Sequence, residues 1–266
     1  MPRALVSLAV LALAAPASAP AADGGGRFVE RTARVAETAH AYKVYLPPGH
    51  DPRRQWPVIL FLHGAGERGT DGVQHTEVGL GRVLRSDPAR YPAVVVFPQA
   101  PPGGVWMGDL ARFATTALAQ AMAEFGGDPH RVYLVGLSMG AYGAWVLAFE
   151  EPQRYAAIVS VAGGIVPPSG RRARLAQLPP TLQADDPYAA TAARLRHVPA
   201  WLFHGADDPT VPASESRQLA AALKQAGAPV RHTEYEGVVH NSWDRAFAEP
   251  ELPAWLLAQR RRAKVR

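Results

Sequence analysis

Two rhythms of apolar and polar residues take turns along this chain. Short runs rich in β-branched and aromatic side chains read as buried strands: Pro57–Leu62, Ala93–Phe97, Arg131–Val135 and Pro199–Phe203. Val230–Tyr235 alternates like a further strand, and Tyr42–Leu46 reads as part of an antiparallel pair at a sheet edge. Helical stretches fall between them near Asp109–Phe125, Ala141–Phe149, Ala213–Ala226 and Leu252–Arg261, and Gly227 stops the third as a C-cap glycine does. Strand and helix in alternation predict an α/β domain over 27–262, with a mostly parallel central sheet and helices on both faces in three layers. The stretch 163–198 breaks the rhythm with prolines, Arg171, Arg172 and Arg174 before a helical patch. It is longer than most loops, and two readings stay open: a small cap over a site, or a peripheral excursion carrying a helix.

One junction in this pattern carries chemistry. Gly136-Leu137-Ser138-Met139-Gly140 sits between the strand ending at Val135 and the helix starting at Ala141. A serine between strand and helix, with glycine two residues away on each side, fits a nucleophile elbow: the turn is so sharp that its neighbours must lack bulk. A serine hydroxyl is a poor nucleophile and needs a base, which in turn needs an acid to orient it. The chain supplies both on loops after later strands. Pro199–Phe203 runs into His204-Gly205-Ala206-Asp207-Asp208, and Val230–Tyr235 leads through Gly237 to His240, after which Asn241 or Ser242 opens a helix. The order serine, acid, histidine is the one this architecture uses. Asp207 and Asp208 are adjacent, and the residues alone leave the choice between them open. His63 and His204, each at a strand end before glycine, read as makers of structural hydrogen bonds. The other histidines show no partner pattern.

Acyl chemistry also needs backbone N–H groups aimed at the developing oxyanion. The residue after the nucleophile, Met139, supplies one, and the loop His63–Gly69 after the strand Pro57–Leu62 supplies the other at Ala65. The same loop spells Gly64-Ala65-Gly66-Glu67-Arg68-Gly69, a match to the dinucleotide fingerprint. That site requires a helix at the loop and an acid at the end of the next strand. Thr70-Asp71-Gly72 instead continues a turn, and Asp87 precedes the next strand, so nicotinamide binding is not expected.

Five segments together carry a family resemblance: His63–Gly69 (HGAGERG), Val96–Pro101 (VFPQAP), Gly136–Gly143 (GLSMGAYG), His204–Pro212 (HGADDPTVP) and Glu234–Trp243 (EYEGVVHNSW). The chain resembles the secreted, single-domain serine esterases of the α/β-hydrolase superfamily, the group called predicted peptidases or the phospholipase/carboxylesterase-like family. The resemblance spans nearly all of the chain after residue 40. It implies an α/β-hydrolase fold, a serine and a histidine at Ser138 and His240, and Asp208 rather than Asp207 as the acid. Ala141 departs from it, since relatives commonly carry a further glycine there.

Composition changes the picture at three places. Met1-Pro2-Arg3, the apolar run Ala4–Ala15 and the small residues up to Ala22 read as a signal peptide over 1–21, and the run is too short for a lasting membrane anchor. Export to the periplasm or beyond is therefore expected. There is no cysteine, which excludes disulfides, a lipoprotein anchor and thiolate-bound metal, and no H-E-x-x-H pair occurs. The net charge of +5 is local: of 28 basic residues one sits in the leader and five in the tail Arg260–Arg266, which leaves 22 against 23 acidic ones. The body is near neutral, and no nucleic-acid partner is expected.

The expected reaction is hydrolysis of a small-molecule or polymer-borne ester without metal or organic cofactor. Trp106, Tyr142 and Trp243 lie near the predicted loops and are candidate pocket residues. Two alternatives remain. One is a serine peptidase on the same scaffold, although the roughly 20 residues between the leader and Tyr42 leave no room for the extra domain such peptidases carry. The other is a non-catalytic binding protein.

Overall fold

A computed structural model describes residues 25–167 and 183–261. The leader assigned to 1–21 and the end of the basic tail lie outside the described residues. Eight strands form one sheet: β1 (Arg27–Val35), β2 (Thr38–Leu46), β3 (Trp56–Leu62), β4 (Val94–Pro98), β5 (Gly127–Leu137), β6 (Ala157–Val161), β7 (Ala200–Gly205) and β8 (Val230–Tyr235), in the order β1-β2-β4-β3-β5-β6-β7-β8. β1 pairs antiparallel with β2, and β2 antiparallel with β4; every other neighbour is parallel.

Helices cover both faces of this sheet. On one face α2 (Asp109–Phe125), α3 (Met139–Glu150), α4 (Pro187–Leu195) and α5 (Ser214–Gln225) bury apolar residues against Val58, Leu60, Val132, Leu134 and Leu202. On the other, α1 (Leu80–Ser86), α6 (Trp243–Ala248) and α7 (Leu252–Ala258) close over Ile59, Phe61, Tyr133, Val135 and Phe203. Odd and even positions of one strand thus feed two cores, which is why β3 and β4 read as unbroken apolar runs. The three-layer α/β-hydrolase fold is the one expected.

Three local differences from the sequence reading have physical causes. β1 carries only one fully buried side chain, Ala33, so no apolar alternation marks it; it is held by its hairpin with β2 instead. α7 stops at Ala258, with Gln259 already extended, rather than running to Arg261. Ser242 does stand at the N-cap of α6, but its backbone is helical and its hydroxyl makes no capping bond. The helical patch in 163–198 is α4, packed on α3 and α5 as part of the layer. Residues 168–182, where a cap would have to be built, lie outside the described residues.

Candidate active site

In the parallel part of the sheet the strands point the same way, so the loops after β3, β5, β7 and β8 emerge along one edge. Ser138 stands there, between the last residue of β5 and the first of α3, at φ 51° and ψ −119°. Left-handed backbone is costly for a residue with a Cβ and recurs where function requires it. The flanking glycines are steric necessities. A Cβ on Gly136 would lie 2.2 Å from the Gly140 carbonyl oxygen, and one on Gly140 would lie 1.9 Å from that of Leu62. The motif therefore records how closely α3 must leave β5.

Hydrogen bonds link the three expected side chains. Ser138 Oγ lies 2.9 Å from His240 Nε2, and His240 Nδ1 lies 2.6 Å from Asp208 Oδ2. A carboxylate accepts, so Nδ1 carries the proton and Nε2 is left to accept from the serine hydroxyl. Asp208 Oδ1 accepts the backbone N–H groups of Thr210 and Val211 at 2.8 and 2.9 Å. Burial alone would raise this carboxyl; the hydrogen bonds from His204, His240, Val211 and Thr210 outweigh it and hold Asp208 well below the usual carboxylate range. Asp207 is exposed, and its backbone N–H goes to Val238. The loop therefore turns Asp208, not Asp207, toward the imidazole.

The two expected oxyanion donors occupy equivalent positions. Met139 opens α3, and Ala65 opens a single 3₁₀ turn, Ala65–Glu67, capped by Gly64. First-turn N–H groups have no acceptor within their own helix and face outward. A methyl on Gly64 would lie 3.4 Å from Ser138 Cβ, so the turn is seated directly against Ser138. The fingerprint-like glycines accordingly shape a 3₁₀ turn and not the start of an apolar helix.

Apart from His63, which reads as a maker of structural hydrogen bonds, the supports for this turn are not visible in the sequence pattern. His63 donates from Nδ1 to the Gly64 carbonyl at 2.6 Å and accepts the Ala100 N–H at 2.9 Å. Gln99 reaches the Glu67 carbonyl at 3.2 Å, and Arg68 bridges the Gly104 carbonyl and Met139 Sδ. Glu67 is half-buried, and burial raises its carboxyl above the usual value against the pull of nearby backbone N–H groups and of His240. Trp106 also belongs to these supports, which corrects its reading as a pocket residue. It is 1 % exposed, and its indole N–H donates to the His63 carbonyl at 3.0 Å. Trp243 is beside the site, edge-on to the His240 ring with centroids 5.4 Å apart. Tyr142 is half-buried one turn along α3 from Ser138.

The buried histidines give the stability a pH dependence. Burial pulls His63 down to about 4, and it pulls His75, packed edge-on to His63, down to about 3 from the ordinary 6.5. Between pH 6.5 and 4 the unfolded chain binds protons that the folded chain refuses, so stability is complete above pH 6.5 and falls on acidification. With two such groups the slope is at most about 2–3 kcal/mol per pH unit. Urea midpoints measured from pH 7 to 4 should fall over this window and do so less steeply in His75→Leu; a flat profile would contradict it.

Comparisons with known proteins bear on the family and the fold. Residues 35–254 match the model of a family described as "Putative esterase". The chain belongs to this esterase family. A rice protein (Oryza sativa subsp. japonica) named as a probable isoprenylcysteine alpha-carbonyl methylesterase is 25% identical over 233 residues, covering 74% of this chain and 54% of the relative. The chain thus spans about half the length of the curated relatives it matches. A crystal structure described as a thermostable esterase superposes with a TM-score of 0.72 at 31% identity, covering 88% of this chain and 63% of that one. The acylaminoacyl peptidase of Pyrococcus horikoshii shares the fold at a TM-score of 0.67 and 14% identity, over 90% of this chain and 42% of that one.

Proposed function

We propose that this chain hydrolyses carboxylic esters through an acyl-enzyme on Ser138. The observation that carries the reading is the unbroken hydrogen-bond chain Ser138 Oγ–His240–Asp208, set in a strained elbow against the Gly64–Glu67 turn. His240 Nε2 takes the hydroxyl proton as Oγ attacks the ester carbonyl, and Asp208 holds the imidazolium that forms. The N–H groups of Ala65 and Met139 receive the oxyanion, each contributing roughly 3–4 kcal/mol. His240 then gives its proton to the leaving alcohol. Water, deprotonated by the same imidazole, releases the acid and restores Ser138. Nucleophile, base and oxyanion donors are all groups of the chain, so the cycle calls for no metal or organic cofactor. Esters that the site would accept include small molecules and groups borne on polymers.

The test is a panel of p-nitrophenyl acyl esters run beside peptide p-nitroanilides, with and without EDTA. The reading expects ester turnover that EDTA leaves unchanged. Rapid peptide cleavage with negligible ester turnover would move the function to a serine peptidase on the same scaffold.

A further inference from the structure

The carboxylate of Asp208 has a second imidazole against it. His204, the penultimate residue of β7, is 0 % exposed, and its Nε2 lies 3.0 Å from the Val211 carbonyl oxygen and 3.3 Å from Asp208 Oδ2. Both of these atoms accept, so Nε2 must carry the proton and share it between them. Nδ1 of the same ring is buried without a partner, and a proton placed there would find no acceptor. His204 is therefore built to donate in one direction only.

Resting on the triad reading above, we propose that His204 is a positioning residue for the ester hydrolysis: it fixes the Asp208 carboxylate, and through it the His240 imidazole. Every acceptor site of that carboxylate is then used. Oδ1 takes Thr210 and Val211, while Oδ2 takes His240 at 2.6 Å and His204 at 3.3 Å. The same N–H that reaches Oδ2 also ties down the Val211 carbonyl, so the turn Asp208–Val211 is pinned at both ends to a residue of the sheet. A neighbouring strand holds firmer than a loop, which is why a donor on β7 locates the acid better than the loop could alone. Donation also draws charge from Oδ2 without cancelling it, leaving a full negative charge facing the imidazolium.

The titratable groups around this pair are few. His232 and Glu234 on β8 interact electrostatically with His204, and Glu67 on the oxyanion turn faces His240. None of them is altered in the test. His204→Met removes the donor at similar bulk, and His204→Gln returns an N–H near the place of Nε2. Rates are taken per site labelled by a fluorophosphonate, so that misfolded protein does not count.

His204→Met should lower kcat by roughly tenfold, the size of one hydrogen bond to a charged group, with KM within about twofold of wild type. The acid limb of its kcat/KM profile should move to higher pH by about half a unit, because Oδ2 then pulls harder on the His240 proton. His204→Gln should restore most of the rate and the wild-type limb. A purely structural residue would change the number of labelled sites and leave the rate and limb per site unchanged. Wild-type kcat and limb in His204→Met, or His204→Gln no better than His204→Met, would overturn the assignment. If His204→Met gives no labelled protein, imidazole ¹⁵N spectra of the wild type decide. An Nε2–H ring whose proton resonance moves in Asp208→Asn supports it, and an Nδ1–H ring overturns it. Ser138→Ala separates the two claims: inactive Ser138→Ala beside a normal His204→Met sinks only the role of His204, whereas an active Ser138→Ala sinks both.

Discussion

Ser138→Ala should lower kcat on short acyl esters by roughly 10⁴–10⁶-fold while leaving the fold and the substrate affinity intact. Among the described residues, Oγ is the only atom hydrogen-bonded to the second ring nitrogen of His240, 2.9 Å away, and none of them places a second nucleophile there. Alanine keeps the Cβ that the elbow already accommodates at φ 51°, so the substitution removes the hydroxyl without relieving or adding backbone strain. What survives should be the slow hydrolysis that the oxyanion donors and binding support by themselves. Thermal unfolding of the variant, run beside wild type, separates loss of chemistry from loss of structure. A rate within tenfold of wild type would remove Ser138 from the reaction.

Asp208→Asn should cost about 10⁴-fold in kcat, and Asp207→Asn next to nothing. An amide at position 208 can present N–H where Oδ2 now accepts from His240 Nδ1 at 2.6 Å, which favours the tautomer with its proton on Nε2. That nitrogen can then no longer take the proton of Ser138. Asp207 is exposed, and the carboxyl bonded to His240 is that of Asp208. Because Asp208 is held well below the usual carboxylate range, it stays ionised through mildly acidic pH, and the acid limb of the profile cannot be its titration. Equal and small losses in the two variants would mean that another group orients the imidazole.

These two predictions draw on different parts of the sequence. The elbow is legible because its glycines answer a steric demand, the 1.9 Å approach of a Gly140 Cβ to the Leu62 carbonyl, and steric demands leave letters behind. Strands β3 and β4, with the stretches Val132–Leu137 of β5 and Ala200–Phe203 of β7, are legible because burial on both faces removes polar residues from them. The choice between Asp207 and Asp208 is not, since a following proline restricts the backbone of Asp208 without aiming its carboxyl. Family resemblance points to Asp208, whose carboxyl is the one that lies 2.6 Å from His240 Nδ1. β1 escapes because a largely exposed edge strand needs no apolar pattern. Trp106 misleads because its place near an active-site loop says nothing of direction: the indole turns inward to hold the His63 carbonyl. His204 and His63 read alike, each before glycine at a strand end. Only their partners distinguish them: His63 bonds to the carbonyl of Gly64, whereas His204 bonds to that of Val211 and lies against the Asp208 carboxylate.

The most direct measurement is covalent. Wild-type protein treated with a fluorophosphonate, digested and sequenced by mass spectrometry, should carry one phosphonyl group on the peptide containing Gly136–Gly140, at Ser138, with ester hydrolysis lost in proportion to labelling. Labelling at another residue, or full ester turnover in protein fully labelled at Ser138, would contradict the account.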